Sequence, residues 1–247
     1  MEKWVVTAKK ADFQGIGRKY GIDPVIARII RNRDITGDEA IEEYLNGTLA
    51  DIPSWKLLKD IDKAVEIISG KIDAGTKMRI IGDYDIDGVT ATYILLKGFK
   101  RLGANVDTYI PDRVEDGYGI HDHLIKKAME DGIDTIVTCD NGISASSQIT
   151  YAKELGMTVV VTDHHEVPFT DTEEGRTYIL PPADAIINPK QADCTYPNKN
   201  ICGAVVAMKL VFALYEKYRL PEEEKEDFLE PAAIATVGGI MDLQGEN

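Results

Sequence analysis

Asp83, Asp85 and Asp87 stand two apart in the string Asp83-Tyr84-Asp85-Ile86-Asp87-Gly88, and well downstream come Thr162-Asp163-His164-His165. Between them lies another acid, Asp140, in Thr138-Cys139-Asp140-Asn141-Gly142. Carboxylates brought within a few ångströms raise one another's pKa, so such a group needs a counter-charge. A divalent metal supplies it. Carboxylate oxygens with one or two imidazoles suit Mn²⁺ or Mg²⁺, and a site this poor in thiolates disfavours structural zinc. The implied chemistry is two-metal hydrolysis of a phosphoester. Ions about 3.5–4 Å apart would lower the pKa of a bridging water and stabilise both the attacking and the leaving oxygen.

These residues can act together only if the chain brings them to one place. Each string follows a short apolar run of strand type, 78–81 before Asp83, 134–137 before Asp140 and 157–161 before Asp163. The carboxyl ends of such strands form the rim where open α/β sheets bind ligands. Runs near Val106 and Ala185 read as two further strands, and helices are predicted over 89–102, 120–131 and 143–155, with an amphipathic helix from Asp60. That alternation argues for an α/β fold, a parallel β-sheet with helices on both faces. Ahead of it, Asp23-Pro24 opens a helix through Val25, Ile26, Ile29 and Ile30, and Thr36-Gly37-Asp38-Glu39 caps another over 40–45. Residues near Asp51-Ile52-Pro53 read as a linker. The expected division is an α-helical preface and linker over 1–55 and a catalytic domain over 56–247.

Plainer readings compete. A D-x-D-x-D-G string also opens a calcium-binding EF-hand loop, but that loop needs a Glu at its twelfth position, where this chain has Ile94. An acidic run is often just a solvated turn. Acids at three matching strand ends argue against that here. His121 and His123 flank Asp122; an i, i+2 pair on a helix points to different sides, so a helix-start surface role is expected, with His121 the better functional candidate. Gly142 either ends a strand or lets backbone N–H groups approach a phosphate. Cys139 reads as a small core residue, Trp4 and Trp55 as structural, and no run of aromatics announces a base-stacking platform.

With these residues in place, the strings I-G-D-Y-D-I-D-G-V-T-A-T, G-Y-G-I, T-C-D-N-G-I-S and V-T-D-H-H-E, in that order, resemble the DHH phosphoesterase superfamily, and within it the RecJ-type single-stranded-DNA exonucleases. Ile187-Asn188-Pro189-Lys190 and Cys202-Gly203-Ala204 extend the likeness past the D-H-H. The resemblance implies Mn²⁺ or Mg²⁺ held by Asp83, Asp85, Asp87, Asp140 and His164, with Asp140 bridging. It implies a catalytic set of Asp140, Asp163, His164 and His165, and substrate contacts from Arg113, Gly117, Tyr118, Gly119, Asn141 and His165. A guanidinium fork and close-approaching glycine backbone suit a phosphate. The implied activity is 5′-to-3′ hydrolysis of single-stranded DNA to mononucleotides in repair and recombination, beside a single-stranded-DNA-binding protein or helicase. Two other readings remain, a phosphodiesterase of short oligonucleotides or cyclic dinucleotides and an impaired nucleic-acid-binding scaffold.

One departure carries weight. RecJ-type enzymes place a last metal-binding aspartate in a segment reading A-T-V-x-D-x-M, and here Ala235-Thr236-Val237-Gly238-Gly239-Ile240-Met241 puts Gly239 at that position. Asp242 follows three residues on, about one turn along if the helix continues, so partial substitution is conceivable. RecJ-type proteins also continue into a DHHA1-like and an oligonucleotide-binding domain. The chain is therefore expected to be an amino-terminal catalytic core with weak activity alone; robust processive digestion would contradict that.

Composition sets the outer bounds. With 247 residues, 44% hydrophobic and 28% charged, the chain can bury a good core and is not disordered. Cys139, Cys194 and Cys202 are odd in number without C-x-x-C spacing, which suggests neither a disulfide framework nor a zinc knuckle and fits a reducing cytoplasm. No apolar stretch reaches membrane length, and charges come at once at Glu2 and Lys3. A net charge of −14 is awkward for phosphate binding. Part of it is the metal cluster and part the string from Pro221 to Asp227, a helix start with acids in its first turn. Basic residues within 18–33 and 97–101 read as wet helix faces.

Overall fold

Asp12 and Asp23 each turn a carboxylate back onto the backbone, accepting from Gly15 N at 2.8 Å and Val25 N at 2.7 Å, and a helix starts after each. These are α1 (Phe13–Tyr20), which the sequence pattern did not announce, and α2 (Pro24–Asn32), which it did. After Gly37 comes α3 (Asp38–Asn46), and Ile30, Ile35 and Ile41 make the small core. The computed structural model describes Lys3, residues 9–172 and residues 175–247; Trp4 lies outside the described residues. Met1–Ile52 with Leu243–Asn247 form one unit and Pro53–Asp242 the other.

In the larger unit, apolar runs without a polar face must be covered on two sides, and they become strands of a parallel sheet. These are β1 (Met78–Ile81), β3 (Thr135–Cys139) and β4 (Thr158–Thr162), and the partly exposed β2 (Val106–Tyr109), Val-Asp-Thr-Tyr, closes one edge beside β1. An exposed antiparallel hairpin, β5 (Phe169–Thr172) with β6 (Gly175–Tyr178), precedes β7 (Ala185–Ile187). The parallel order is β2-β1-β3-β4-β7. The chain leaves β1 toward one edge and then returns to its other side with β3. A crevice opens at the carboxyl ends of strands where the order reverses in this way.

Alternate strand residues feed two cores. Met78, Ile80, Val137, Cys139 and Val160 face α4 (Ile61–Asp73), α5 (Ile86–Arg101) and the later helix α8 (Gly203–Lys217); Ile81, Ile136, Val159 and Val161 face α6 (Asp122–Glu130) and α7 (Ser146–Glu154). The expected α/β architecture is therefore present. The acidic string after Pro221 forms only a four-residue helix without a buried residue, α9 (Glu223–Glu226), and α10 (Leu229–Gly238) packs on α5 and α8. All three cysteines are free and buried. Among the described residues no helix is long and apolar enough to cross a membrane.

Candidate metal centre

Strand register decides which side chains meet. Ile81 pairs with Thr138 and Cys139 with Thr162, so Asp83, Asp140 and Asp163 leave adjacent strands at neighbouring levels. Asp140 takes up a left-handed backbone, φ 60°, which short polar residues tolerate and which clusters at functional sites. It is 1% exposed, and neither of its oxygens accepts a hydrogen bond. Burial first, then the charges of Asp87, Asp85 and Asp163, hold its carboxyl far above the ordinary range.

The other ligand candidates gather around it. His164 Nε2 stands 3.1 Å from Asp140 Oδ1 and 3.4 Å from Asp87 Oδ2. Ligand atoms of Asp140, His164 and His165 all lie within 4.8 Å of one another. Buried carboxylate oxygens without donors, facing an imidazole nitrogen, are an oxygen–nitrogen set that fits a hard divalent cation. Asp87 is fixed from behind: its Oδ2 accepts from Gly203 N and its Oδ1 from Ala204 N, both at 2.7 Å, in the first turn of α8. A helix N-terminus thus steadies the carboxylate. Asp85 caps α5, its Oδ1 accepting from Asp87 N and Gly88 N at 2.9 Å. Asp83 is buried, with Oδ1 on Tyr84 N and Oδ2 unpartnered, and burial raises its pKa.

Asp163 does different work. Its Oδ1 accepts from His164 N, His165 N and His165 Nδ1, and its Oδ2 from Ile143 N. Burial opposes its charge, but these donors, His165 foremost, hold its carboxyl below the usual range. It therefore orients His165. The Asp163 hydrogen bond in turn raises the His165 pKa, against its burial, and the far nitrogen, Nε2, meets the Tyr118 hydroxyl at 2.9 Å.

Asn141, expected at substrate, turns its amide nitrogen inward to Ile81 O, Gly82 O and Cys139 O, bracing β3 against β1, while its Oδ1 has no partner. Other sequence expectations need correction. His121 and His123 do not point apart: His121 precedes α6 as its cap, and the two rings stack at 5.9 Å. Asp242 cannot stand in by helical spacing, because α10 ends at Gly238 and Asp242 lies exposed beyond it. Aromatics do gather, from separate segments that no local run could announce. Tyr84 meets Tyr118 edge-on at 6.1 Å, Tyr118 meets His165 at 6.0 Å, and Arg113 lies over Tyr84 at 5.3 Å. Gly117 and Gly119 both have positive φ, in a loop held by Asp112 N and His123 Nε2 on the Asp116 carboxylate.

The sequence pattern also missed Gly203 as a site residue. A Cβ there would stand 2.8 Å from both Cβ and Oδ1 of Asp140, too close for a rigid neighbour. Gly203→Ala is expected to displace Asp140 and weaken Mn²⁺ binding by about tenfold or more, read by isothermal titration. Unchanged affinity would remove Gly203 from the site.

Comparison with known proteins matches residues 77–237 to the DHH family, N-terminal domain. The single-stranded-DNA-specific exonuclease RecJ of Bacillus subtilis (strain 168) is 36% identical over 246 residues, 99% of this chain and 29% of its own. A crystal structure of exonuclease RecJ bound to manganese superposes with a TM-score of 0.65 at 33% identity, covering 80% of this chain and 46% of that one. RecJ from Thermus thermophilus in complex with Mn²⁺ gives 0.70 at 28%, covering 94% and 31%. The chain thus spans less than half the length of each of these three relatives.

Proposed function

The chain belongs to the DHH family, and from that premise we propose that it is the catalytic core of a divalent-metal-dependent exonuclease that degrades single-stranded DNA from its 5′ end to mononucleotides. The observation that carries this reading is the buried Asp140 carboxylate, unpartnered and 3.1 Å from His164 Nε2. Asp87, Asp140 and His164 would hold Mn²⁺ or Mg²⁺, with Asp83 and Asp85 alongside; bound there, the ions supply charge neutralisation and Lewis-acid activation of water at phosphorus.

The remaining residues act on the substrate. His165, oriented by Asp163, presents a donor beside the reacting phosphate and stabilises negative charge gathering on its oxygens. Arg113 and the backbone at Gly117 and Gly119 take the neighbouring phosphate, the guanidinium by a two-pronged contact. Strand polarity, a role in repair and recombination, a helicase or single-stranded-DNA-binding partner, a cytoplasmic location, and the division into a 1–55 preface and a 56–247 catalytic domain all belong to this proposal, supported by the likeness to RecJ.

The test uses single-stranded DNA labelled at either end, with the whole chain and Mn²⁺. Labelled mononucleotide should appear first from the 5′-labelled strand, with duplex spared and release stopped by chelator. Hydrolysis of cyclic dinucleotides but not of long strands would favour the small-substrate reading. DNA binding without hydrolysis in either Mn²⁺ or Mg²⁺ would favour the scaffold.

A further inference from the structure

Beside His165, on the side of α7, a cleft of about 360 Å³ opens between the Tyr118–His121 loop and the residues that follow β3. Its size lies in the range of small-molecule pockets. Its chemistry is unlike the metal centre next to it. No lysine or arginine lines it. Ile120 and Ile143 give it apolar wall, and Ser144 and Gln148 add neutral hydrogen-bonding groups. Two buried polar atoms on its lining residues lack partners: Asn141 Oδ1, on a side chain 3% exposed, and His121 Nε2. Asn141 cannot turn its amide to compensate, because its nitrogen is committed to three backbone carbonyls.

An orphan acceptor beside the Asp163 carboxylate repels a phosphate and calls for a donor, such as a base N–H or a sugar hydroxyl. We propose that this cleft receives the uncharged nucleoside part of the substrate's terminal nucleotide, with Asn141 Oδ1 and His121 Nε2 as hydrogen-bond partners and Gln148 at its wall. The inference rests on the nuclease reading of the adjoining site and adds to it what lies next to the scissile phosphate. It also gives His121 a function that the metal centre does not require.

Ligand-observed saturation-transfer NMR on the whole chain, without metal, tests it with thymidine and inorganic phosphate as probes. Thymidine should receive saturation on both base and sugar protons, and phosphate should not displace it. His121→Ala and Gln148→Ala should each weaken binding about fivefold, the loss of one hydrogen bond. Gln148→Trp, at a half-buried helix position, should fill the cleft and abolish binding while circular dichroism stays unchanged. No saturation in the wild type, or saturation undiminished in Gln148→Trp, overturns the proposal. Release of mononucleotides from DNA without thymidine binding would overturn the cleft and leave the exonuclease reading standing. Thymidine binding that Gln148→Trp removes, with no hydrolysis of any DNA, would do the reverse.

Discussion

Asp140→Asn is expected to do two opposite things, abolish hydrolysis and make the metal-free protein more stable. Asp140 supplies the only pair of buried carboxylate oxygens among the described residues that are both without a hydrogen-bond partner. Losing that charge forfeits several kcal/mol of metal-derived stabilisation, so the rate should fall by at least about 10³-fold. Without metal, the same carboxylate is a buried group repelled by Asp87 and Asp85. Asn keeps the shape, tolerates the left-handed backbone and needs no bound proton to stay neutral. A gain of about 1–2 kcal/mol follows from relieving an uncompensated buried group, which raises the melting temperature of a chain this size by about 4 °C. The sign with pH is fixed by the raised pKa. Above about pH 4 the unfolded Asp140 releases its proton while the folded one keeps it, so folded protein binds more protons and loses stability as pH rises, until the folded carboxyl ionises too. The Asn variant lacks that loss. Thermal unfolding in chelator at pH 5 and pH 8 should show the gap between the two proteins widening at the higher pH; a constant gap would refute the account.

Gly239→Asp is expected to raise Mn²⁺ affinity by about tenfold or more and to strengthen hydrolysis in parallel. The backbone there is ordinary, φ −78° and ψ 2°, and an added Cβ would meet only Ala235 O, at 3.1 Å. The end of α10 also lies near the candidate ligands: a Cβ on Gly238 would strike Ile86, the residue between Asp85 and Asp87, and Thr236 Oγ1 is 3.6 Å from Cys202 Sγ just before Gly203. An acid at a helix C-terminus opposes the helix dipole, so the metal-free variant should lose about 0.3–1 kcal/mol. Weaker when empty and tighter when loaded is a pattern that a merely structural effect would not give. Manganese titration with electron paramagnetic resonance would read the affinity directly. Asp242→Ala should leave it unchanged; a fall in Mn²⁺ binding there would restore Asp242 as the substitute ligand.

The parts of this fold that could be read from the chain are those where local pattern and tertiary role agree. Runs such as Met78–Ile81 and Thr135–Cys139 are buried on both faces and end in acids, so strand and site announced themselves together. The helix Gly203–Lys217 was invisible for the opposite reason. From Gly203 to Val211 every position is buried, so no polar stripe marks a helical period. The hairpin Phe169–Tyr178 is exposed on both strands and carries no alternation of apolar and polar faces. Within the site, residue type alone did not separate roles. Asp163 and Asp140 look alike in sequence, yet Asp163 accepts from four donors and neither oxygen of Asp140 accepts a hydrogen bond. Asn141 was expected at substrate, and nothing in its local string announced the inward turn of its amide nitrogen, which depends on carbonyls 59 and 60 residues away.

The first turn of α8 holds Asp87, while the body of the same helix is packed into the main core through Val206, Leu210 and Leu214. The clamp on Asp87 and the structural keel are thus one helix. Loosening the core at Leu210, two turns from the carboxylate, will be felt at the ions before the sheet gives way. Temperature-sensitive lesions in this protein should therefore arise along α8, in residues buried in the main core, and excess manganese should suppress them.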